Sequence, residues 1–110
     1  MPMLNPGDLR HRVTIQQGVE GDPTSSGQRD LTWQKFSEVW AEVKTLSGRE
    51  LEKARTLSAS VTHTIHIRYL PGVIETYRVL WGTRILAINA IVDPENRRFE
   101  QFLYCTEEIP

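Results

Sequence analysis

Turn-forming residues recur about every ten positions in this chain, and the segments between them mostly alternate apolar and polar side chains. The turn signals include Pro71-Gly72, Gly82-Thr83 and Asp93–Asn96. Parallel sheets need a helical crossover between neighbouring strands, and this sequence has room for at most one such helix. The pattern therefore predicts an all-β, mainly antiparallel domain of about six or seven short strands, either a small sandwich or a barrel.

The clearest strand runs from Val61 to Leu70. Its alternation places an apolar set on one face and a polar set on the other: Val61, His63, Ile65, Ile67 and Tyr69 against Thr62, Thr64, His66 and Arg68. Further strands are predicted over Leu9–Gln17, Leu31–Val43, Tyr77–Trp81, Arg84–Val92 and Phe99–Thr106, the last with Phe99, Gln101, Leu103 and Cys105 on one face. Gly18–Gln28 is rich in Gly, Pro, Ser and Asp, which predicts an exposed loop.

The spacing of apolar residues changes from that of a strand to that of a helix once, in a polar stretch from Leu46 to Ser60. This stretch lies between two clearly predicted strands. Its segment Ser47-Gly48-Arg49-Glu50 has the S-x-x-E form of a capping box, which marks the start of a helix. Apolar residues then follow at helical spacing, at Leu51, Ala54 and either Leu57 or Ser58. Because this apolar stripe is thin, the helix needs tertiary or intersubunit contact to be stable. This insertion is the first place to look for function.

The length predicts one domain over residues 1–110, with a loose arm at 1–8, an insertion at 46–60 and a tail at 107–110. Thirteen basic residues nearly balance fourteen acidic ones, so charge gives no support to bulk DNA binding. Arginines outnumber lysines ten to three. That ratio favours fixed, forked contacts to carboxylate or phosphate, although a GC-rich genome would produce it equally well.

Cys105 is the single cysteine, so an internal disulfide is impossible, and this fits a reducing compartment. The first twelve residues, MPMLNPGDLRHR, have no apolar core of the kind that a signal peptide needs. Apolar runs fall well short of the ~20 residues that span a membrane. We therefore expect a soluble, intracellular protein with no membrane contact.

The sequence contains no strong motif for a catalytic, metal or phosphate-binding site. His63 and His66 are three apart on a predicted strand, so their side chains point to opposite faces and cannot share a metal ion there. Cys105 lies on an apolar strand face, where a buried thiol is usually inert. The sequence has no nucleophile elbow and no phosphate-binding glycine loop. We expect no catalytic residue, no metal and no cofactor, and hence a protein that is not an enzyme.

One alternative is a small barrel that binds single-stranded nucleic acid by stacking bases on aromatic side chains beside basic ones. Tyr69 next to Arg68 and Tyr77 next to Arg78 have this character. In the competing interpretation the tyrosines line the edge of the core and the arginines pair with carboxylates. The net charge of −1 favours the competing interpretation, because it does not help to attract a polyanion.

Several motifs follow one another in order over about Leu9 to Cys105: LRHRVTIQQ, Trp33, VWAEVKTLSGRE, TIHIRYLPGV, YRVLWG and ILAINAIVDPENRRFEQFLYC. In this order and spacing the chain resembles one known family, the head closure or head–tail joining proteins of long-tailed bacteriophages and prophages. The resemblance implies a small β-barrel with a helix-bearing insertion between two strands.

The resemblance also implies a structural function at the virion neck, after assembly in the host cytoplasm. It implies a ring of twelve copies below the portal and its adaptor protein that closes the DNA exit channel and docks the tail completion or tail tube protein. The packaged double-stranded DNA would make only weak, non-specific contact. The channel-loop or subunit-interface candidates are then Leu46, Ser47, Gly48, Arg49, Glu50, Glu52, Lys53 and Arg55, and Arg68 and Arg78 are candidates for interface or structural ion pairs.

Overall fold

The computed structural model describes residues 5–23, 27 and 29–108. Their main elements are six strands and one α-helix. The strands are β1 (His11–Pro23), β2 (Arg29–Thr45), β3 (His63–Arg68), β4 (Arg78–Trp81), β5 (Arg84–Val92) and β6 (Glu100–Glu108), and the helix is α1 (Gly48–Arg55). Short 3₁₀ turns cover Pro6–Asp8 and Pro94–Asn96. The predicted fold class, all-β with one helix-bearing insertion, is confirmed.

The strands form a closed antiparallel barrel in the order β1-β2-β3-β6-β5-β4. The pairing of β4 with β1, Thr14 opposite Leu80 and Gln16 opposite Arg78, closes the ring. Two-residue Gly82-Thr83 joins β4 to β5 as predicted, and Gly82 has a φ of +64° that favours glycine. Closure leaves no free edge within the ring itself.

The barrel interior is filled by side chains from alternate positions of the strand segments that form the ring. The inward set confirms the predicted alternation and includes Val13, Ile15, Ala41, Ile65, Ile67, Val79, Leu86, Ile88, Leu103 and Cys105. Burial of each large apolar side chain stabilises the fold by about 1.5–3 kcal/mol. The same burial raises the pKa of the Cys105 thiol to about 12, so this cysteine is inert at neutral pH.

The loop predicted over Gly18–Gln28 is wrong for its first six residues. β1 continues to Pro23 and pairs with the start of β2, with Gly18 opposite Trp33 and Pro23 opposite Arg29. The glycines suggested a turn, but Gly18 serves packing instead, because a Cβ there would lie 3.0 Å from the Leu31 side chain. Residues 24–26 and 28 of the predicted loop lie outside the described residues.

The predicted C-terminal tail needs a correction, and the described part of the predicted N-terminal arm contains a turn. We expected a tail from residue 107, but Glu107 and Glu108 continue β6 and pair with Leu86 and Ile85 of β5. Of the predicted arm 1–8, the described part begins with a 3₁₀ turn whose start is capped by the Asn5 side chain, which accepts a 3.0 Å hydrogen bond from Gly7 N.

Phe99 was predicted to face inward with Gln101, but it is 65% exposed. The strand begins one residue later, at Glu100, and both Glu100 and Gln101 are buried. The preceding residue, Arg98, has a φ of +60°, and its backbone N donates to the Asp93 carboxylate. This turn geometry breaks the alternation just before β6.

Candidate assembly surface

The insertion between β2 and β3 is held to the barrel at both ends. Leu46 N donates to Thr62 O at 3.0 Å, and Thr62 N donates to Cys105 O at 2.8 Å. On the far side, Thr106 Oγ1 donates to Ser60 O at 2.8 Å. Because these bonds tie the insertion to β6 as well as to its own flanking strands, α1 has a fixed position on the barrel.

A small hydrophobic cluster supports α1 from below. Leu46, Ala54 and Val61 are buried in it, and Leu51 and Tyr104 pack against them. Of the two residues left open for the last position of the apolar stripe, Ser58 is half-buried and Leu57 is 49% exposed. The cluster is separate from the barrel core, as expected for a helix that relies on a small patch of contact.

The helix starts where the capping-box pattern predicts, but the box itself does not form. Ser47 is the N-cap residue and its side chain makes no capping hydrogen bond. The first helical residue, Gly48, instead has a φ of +57°, a conformation that glycine adopts without strain. The chain thus enters α1 through a bend that depends on Gly48.

All five charged side chains on α1 are exposed: Arg49, Glu50, Glu52, Lys53 and Arg55. Within the part of the chain that the structure describes, none of them has an ion-pair partner or a side-chain hydrogen bond. Two acidic and three basic groups give this surface a net charge of +1. These side chains are therefore free to contact another molecule without first breaking an internal contact.

His66 lies below α1, on the outer face of β3. Its ring stacks on Phe102 with a centroid distance of 4.2 Å and an interplanar angle of 8°. Nε2 of His66 is 3.0 Å from Glu100 Oε1, and Nδ1 is 3.8 Å from Glu42 Oε1. A cavity of about 240 Å³ lies between His66 and Phe102 on one side and Lys53 of α1 on the other. His63 points to the opposite face, into the barrel, so the two histidines are separated as predicted.

An ion-pair network that the sequence patterns do not predict lies at the base of the insertion. Arg84 donates two hydrogen bonds of 2.7 Å to the Glu107 carboxylate, and its guanidinium lies 4.3 Å from the centre of the Trp81 ring. Contact with Arg84 lowers the pKa of Glu107. The sequence carries no local signal for this network, because the charged Glu107 falls on the same strand face as the apolar Leu103 and Cys105.

Buried His63 adjoins this network. Its Nδ1 lies 2.8 Å from Thr62 Oγ1, and its Nε2 lies 3.4 Å from Arg84 Nη2 and 3.8 Å from Glu107 Oε1. Burial lowers the pKa of His63, and this outweighs the opposing attraction of Glu107. The neutral imidazole is therefore the form that the folded protein favours.

Arg68 and Arg78, the candidates for interface or structural ion pairs, make no ion pair with another described residue. Arg78 stacks on Trp33 at 4.2 Å and donates a 2.8 Å hydrogen bond to Gln16 Oε1. Arg68 is exposed, and no carboxylate of the described residues lies within ion-pair distance of it. It lines a cavity of about 500 Å³ together with Trp40 and Tyr69. The structure thus brings neither arginine to α1.

A second arginine–tryptophan stack lies beside this cavity. Arg12 lies 5.3 Å from the centre of the Trp40 ring and donates a 2.8 Å hydrogen bond to Glu38 Oε1. That contact lowers the pKa of Glu38. Trp40 is 53% exposed, and its neighbour Ala41 is buried on the opposite face of β2. Exposed tryptophan and arginine are common in protein interfaces.

Over residues 5–23, 27 and 29–108, no group of three or more His, Cys, Asp or Glu side chains is placed to hold a metal ion. The same residues contain no helix that is long and apolar enough to cross a membrane.

The model of one protein family, described as phage head completion protein, matches residues 4–108. The chain belongs to the phage head completion protein family. It is similar to the solution structure of protein SF1141 from Shigella flexneri 2a, with 27% identity, a TM-score of 0.70 and coverage of 94% of this chain and 96% of that one. The search of curated proteins gave no match.

A chain in the virion of a native gene transfer agent particle shares the fold of this phage head completion protein. The TM-score is 0.61 at 22% identity, over 100% of both chains. Family membership confirms the resemblance that the sequence motifs suggested, and it gives the protein a structural role at the head–tail end of a phage particle. A structural role of this kind is consistent with a protein that is not an enzyme.

Proposed function

We propose that this phage head completion protein assembles as a ring of twelve copies under the portal and adaptor, where it closes the DNA exit channel after packaging. The opposite face of the ring docks the tail completion or tail tube protein. In this arrangement α1 and its flanking residues, Leu46–Ser60, face the channel or a neighbouring copy.

One observation carries the proposal. The α1 insertion presents five charged side chains that have no partner within the described chain, on a helix that is fixed to the barrel. A fixed helix costs little further conformational entropy when it binds. Mixed charges of both signs also allow copies of the same helix to pair with one another around an axis.

The overall charge balance supports the same location. A protein that lines a DNA channel should not hold the DNA tightly, because the DNA must leave through it. A net charge of −1 over 110 residues avoids the strong, salt-dependent attraction that basic proteins have for the phosphate backbone.

The experiment that tests this proposal replaces Gly48–Ser60 with Asn-Gly in phage particles. Ser47 and Val61 then flank a two-residue hairpin turn, so β2 and β3 can still pair. We expect filled heads that lose DNA or fail to join tails. Full DNA retention and normal tail joining would contradict the role given to the insertion.

A matched variant distinguishes the effect of the charges on α1 from the effect of the volume that the helix fills. Arg49, Glu50, Glu52, Lys53 and Arg55 are all changed to glutamine, which keeps the helix and removes its charges. If the charges hold neighbouring helices together, this variant should show the same defect as the replacement. If the helix acts only by filling the channel, it should retain DNA.

A second candidate function is single-stranded nucleic-acid binding. The observation that favours it is the 500 Å³ cavity where unpaired Arg68 lies beside the aromatic side chains of Trp40 and Tyr69. Tyr77, which was proposed for this role together with Arg78, is less suitable, because its ring packs against Phe36 and the core.

Fluorescence anisotropy with a labelled oligothymidylate, at low and at physiological salt, tests this second function. Binding should weaken steeply with salt and should be lost in Arg68→Ala. Absence of binding at low salt would eliminate it.

A further inference from the structure

An open cavity in the barrel wall holds a positive charge that has no partner among the described residues. Pairing between β2 and β3 ends where Ala41 lies opposite Ile67. The next residues along the two strands, Trp40 and Arg68, line the cavity of about 500 Å³. Arg68 is exposed, and it makes no ion pair or side-chain hydrogen bond with another described residue. Its guanidinium is therefore available to a second molecule.

The rest of the cavity lining is either apolar or already paired. The two other charged residues, Arg12 and Glu38, are joined by a 2.8 Å hydrogen bond. Two arginines against one glutamate leave the cavity a net charge of +1, which Arg68 carries. The remaining lining residues are Pro6, Leu9, Val39, Trp40, Tyr69 and Leu70. This lining fits an apolar side chain beside one carboxylate better than a nucleic-acid strand, because a strand is followed by several cations along its backbone.

The chain itself carries an apolar side chain beside a carboxylate, at Ile74 and Glu75 in the loop between β3 and β4. Ile74 is 50% exposed. Glu75 is exposed and has no ion-pair partner among the described residues. Tyr77 N donates a 3.0 Å hydrogen bond to Ile74 O, so the two residues begin a tight turn. Strand alternation does not apply in a turn, so the two side chains are not forced onto opposite faces.

The other large apolar side chains that are exposed outside the cavity do not meet this requirement, as far as the structure describes the chain. Leu31 follows the exposed Asp30, but both lie in β2, where neighbouring side chains point to opposite faces. Phe99 precedes Glu100, which is buried and already bonded to a histidine. Leu57 has no carboxylate next to it in sequence.

The turn is held in place before any partner arrives. Gly72 has a φ of +91°, and a Cβ there would lie 3.1 Å from Cζ of Phe36. Val73 packs against the barrel core. On the other side of the turn, the Tyr77 hydroxyl donates a 3.2 Å hydrogen bond to Gln17 Oε1. A preorganised turn loses little conformational entropy when it binds.

We propose that the turn carrying Ile74 and Glu75 of one copy enters the cavity of the next copy. Glu75 then pairs with Arg68 of that copy, and Ile74 packs on the aromatic wall. This inference rests on the proposed ring and names a contact that builds it. Within one chain Arg68 and Glu75 are not within ion-pair distance, so their pairing takes a second copy. Because the turn and the cavity are different surfaces, the contact repeats from copy to copy, as a closed ring requires.

Charge reversal on the two sides of the contact tests the inference with the full chain. By analytical ultracentrifugation up to about 1 mM, wild type should self-associate, and Arg68→Glu or Glu75→Arg should each weaken association at least about tenfold. The double variant, R68E together with E75R, restores the pair with exchanged charges and should associate within about threefold of wild type. A wild type that stays monomeric over this range, or a double variant as weak as the single ones, would overturn the inference.

Substitutions at two exposed apolar residues of similar exposure give a matched control. Ile74→Ser should weaken self-association about tenfold, because it removes the side chain that packs in the cavity. Leu31→Ser changes a residue that is 54% exposed and lies outside the contact, and it should leave self-association within about twofold of wild type. Equal effects of the two substitutions would contradict the proposed contact. Urea denaturation of each variant checks that the fold is retained.

Oligothymidylate binding by the same variants distinguishes a second copy from nucleic acid as the occupant of the cavity. Binding that is lost in Arg68→Glu while self-association is unchanged would assign the cavity to nucleic acid and overturn the inference. The proposed function is tested separately in particles. Charge reversals without effect, together with a defect on replacement of the insertion, would remove this contact and leave that function standing.

Discussion

The barrel and the α1 insertion differ in where their polar groups find partners. In the barrel, as far as the structure describes it, no buried side-chain polar atom lacks a hydrogen bond, and Arg84 and Glu107 satisfy each other across two strands. On α1 the charged groups are exposed and unpaired within the described chain. The comparison indicates that the polar groups of the barrel find their partners within one molecule, whereas the charges of α1 remain available for the contact that we propose.

The largest expected effect on stability comes from a substitution in the barrel core. Leu103 is fully buried in the core, so Leu103→Ala should lower the free energy of unfolding by about 3 kcal/mol through lost burial and a residual cavity. Urea denaturation followed by circular dichroism measures the change. A loss below about 1 kcal/mol would mean that the core is not packed as described.

A smaller effect is expected where the chain enters α1. Gly48 has a φ of +57°, and an alanine there would be strained by about 1 kcal/mol. Because α1 is supported by its own small cluster, Gly48→Ala should raise hydrogen exchange in the helix more than in β3 or β6. Equal changes in the helix and the barrel would show that the two unfold as one unit.

Acidification should also affect the base of the insertion. The pKa of folded His63 lies below its ordinary value of 6.5, so the folded state binds fewer protons than the unfolded state as the pH falls through that value. Stability is therefore lost on going from about pH 7 toward the lowered pKa. His63→Gln should remove this part of the slope in denaturation measured between pH 7.5 and 5.5.

Glu107 adds a second loss at lower pH. Its pKa lies below the ordinary value of 4.5 because Arg84 stabilises the carboxylate, so its contribution is present above that value and is lost as the pH falls through the lowered pKa. Glu107→Gln should flatten the stability curve below about pH 4.5. Because it also removes the attraction that raises the pKa of His63, it should steepen the loss of stability between about pH 7 and the lowered pKa of His63. Unchanged slopes in both variants would contradict the network.

The smallest expected effect on stability comes from removing the charges of α1. Replacing the charged residues of α1 by glutamine should change the free energy of unfolding by less than about 0.5 kcal/mol, because those side chains have no ion-pair partner among the described residues. The same variant is predicted to affect assembly in particles. A large loss of stability would show that the charges support the monomer.

Much of the barrel could be predicted because each strand shows a local alternation of apolar and polar residues. The alternation of Ile65 and Ile67 with polar neighbours, and the Pro and Gly residues at turns, follow from the geometry of a half-buried strand. The α1 helix was predictable from its period, and it begins directly after Ser47, where the capping-box pattern predicted its start.

The misses come from contacts between segments far apart in sequence. Gly18 belongs to a strand because β2 pairs with it, although its composition resembles a loop. Glu107 belongs to β6 because Leu86 lies opposite, and its bond to Arg84 has no local signal. The network around His63 could not be derived for the same reason, since register between strands is set by the whole barrel.

Electron microscopy of the assembled neck tests the central claim most directly. The account predicts that α1 of each copy faces the channel or the neighbouring copy, with Arg49, Glu52 and Arg55 in contact with another chain or lining the lumen. A neck in which α1 lies on the outer surface, with these side chains in solvent and touching no other protein, would contradict it.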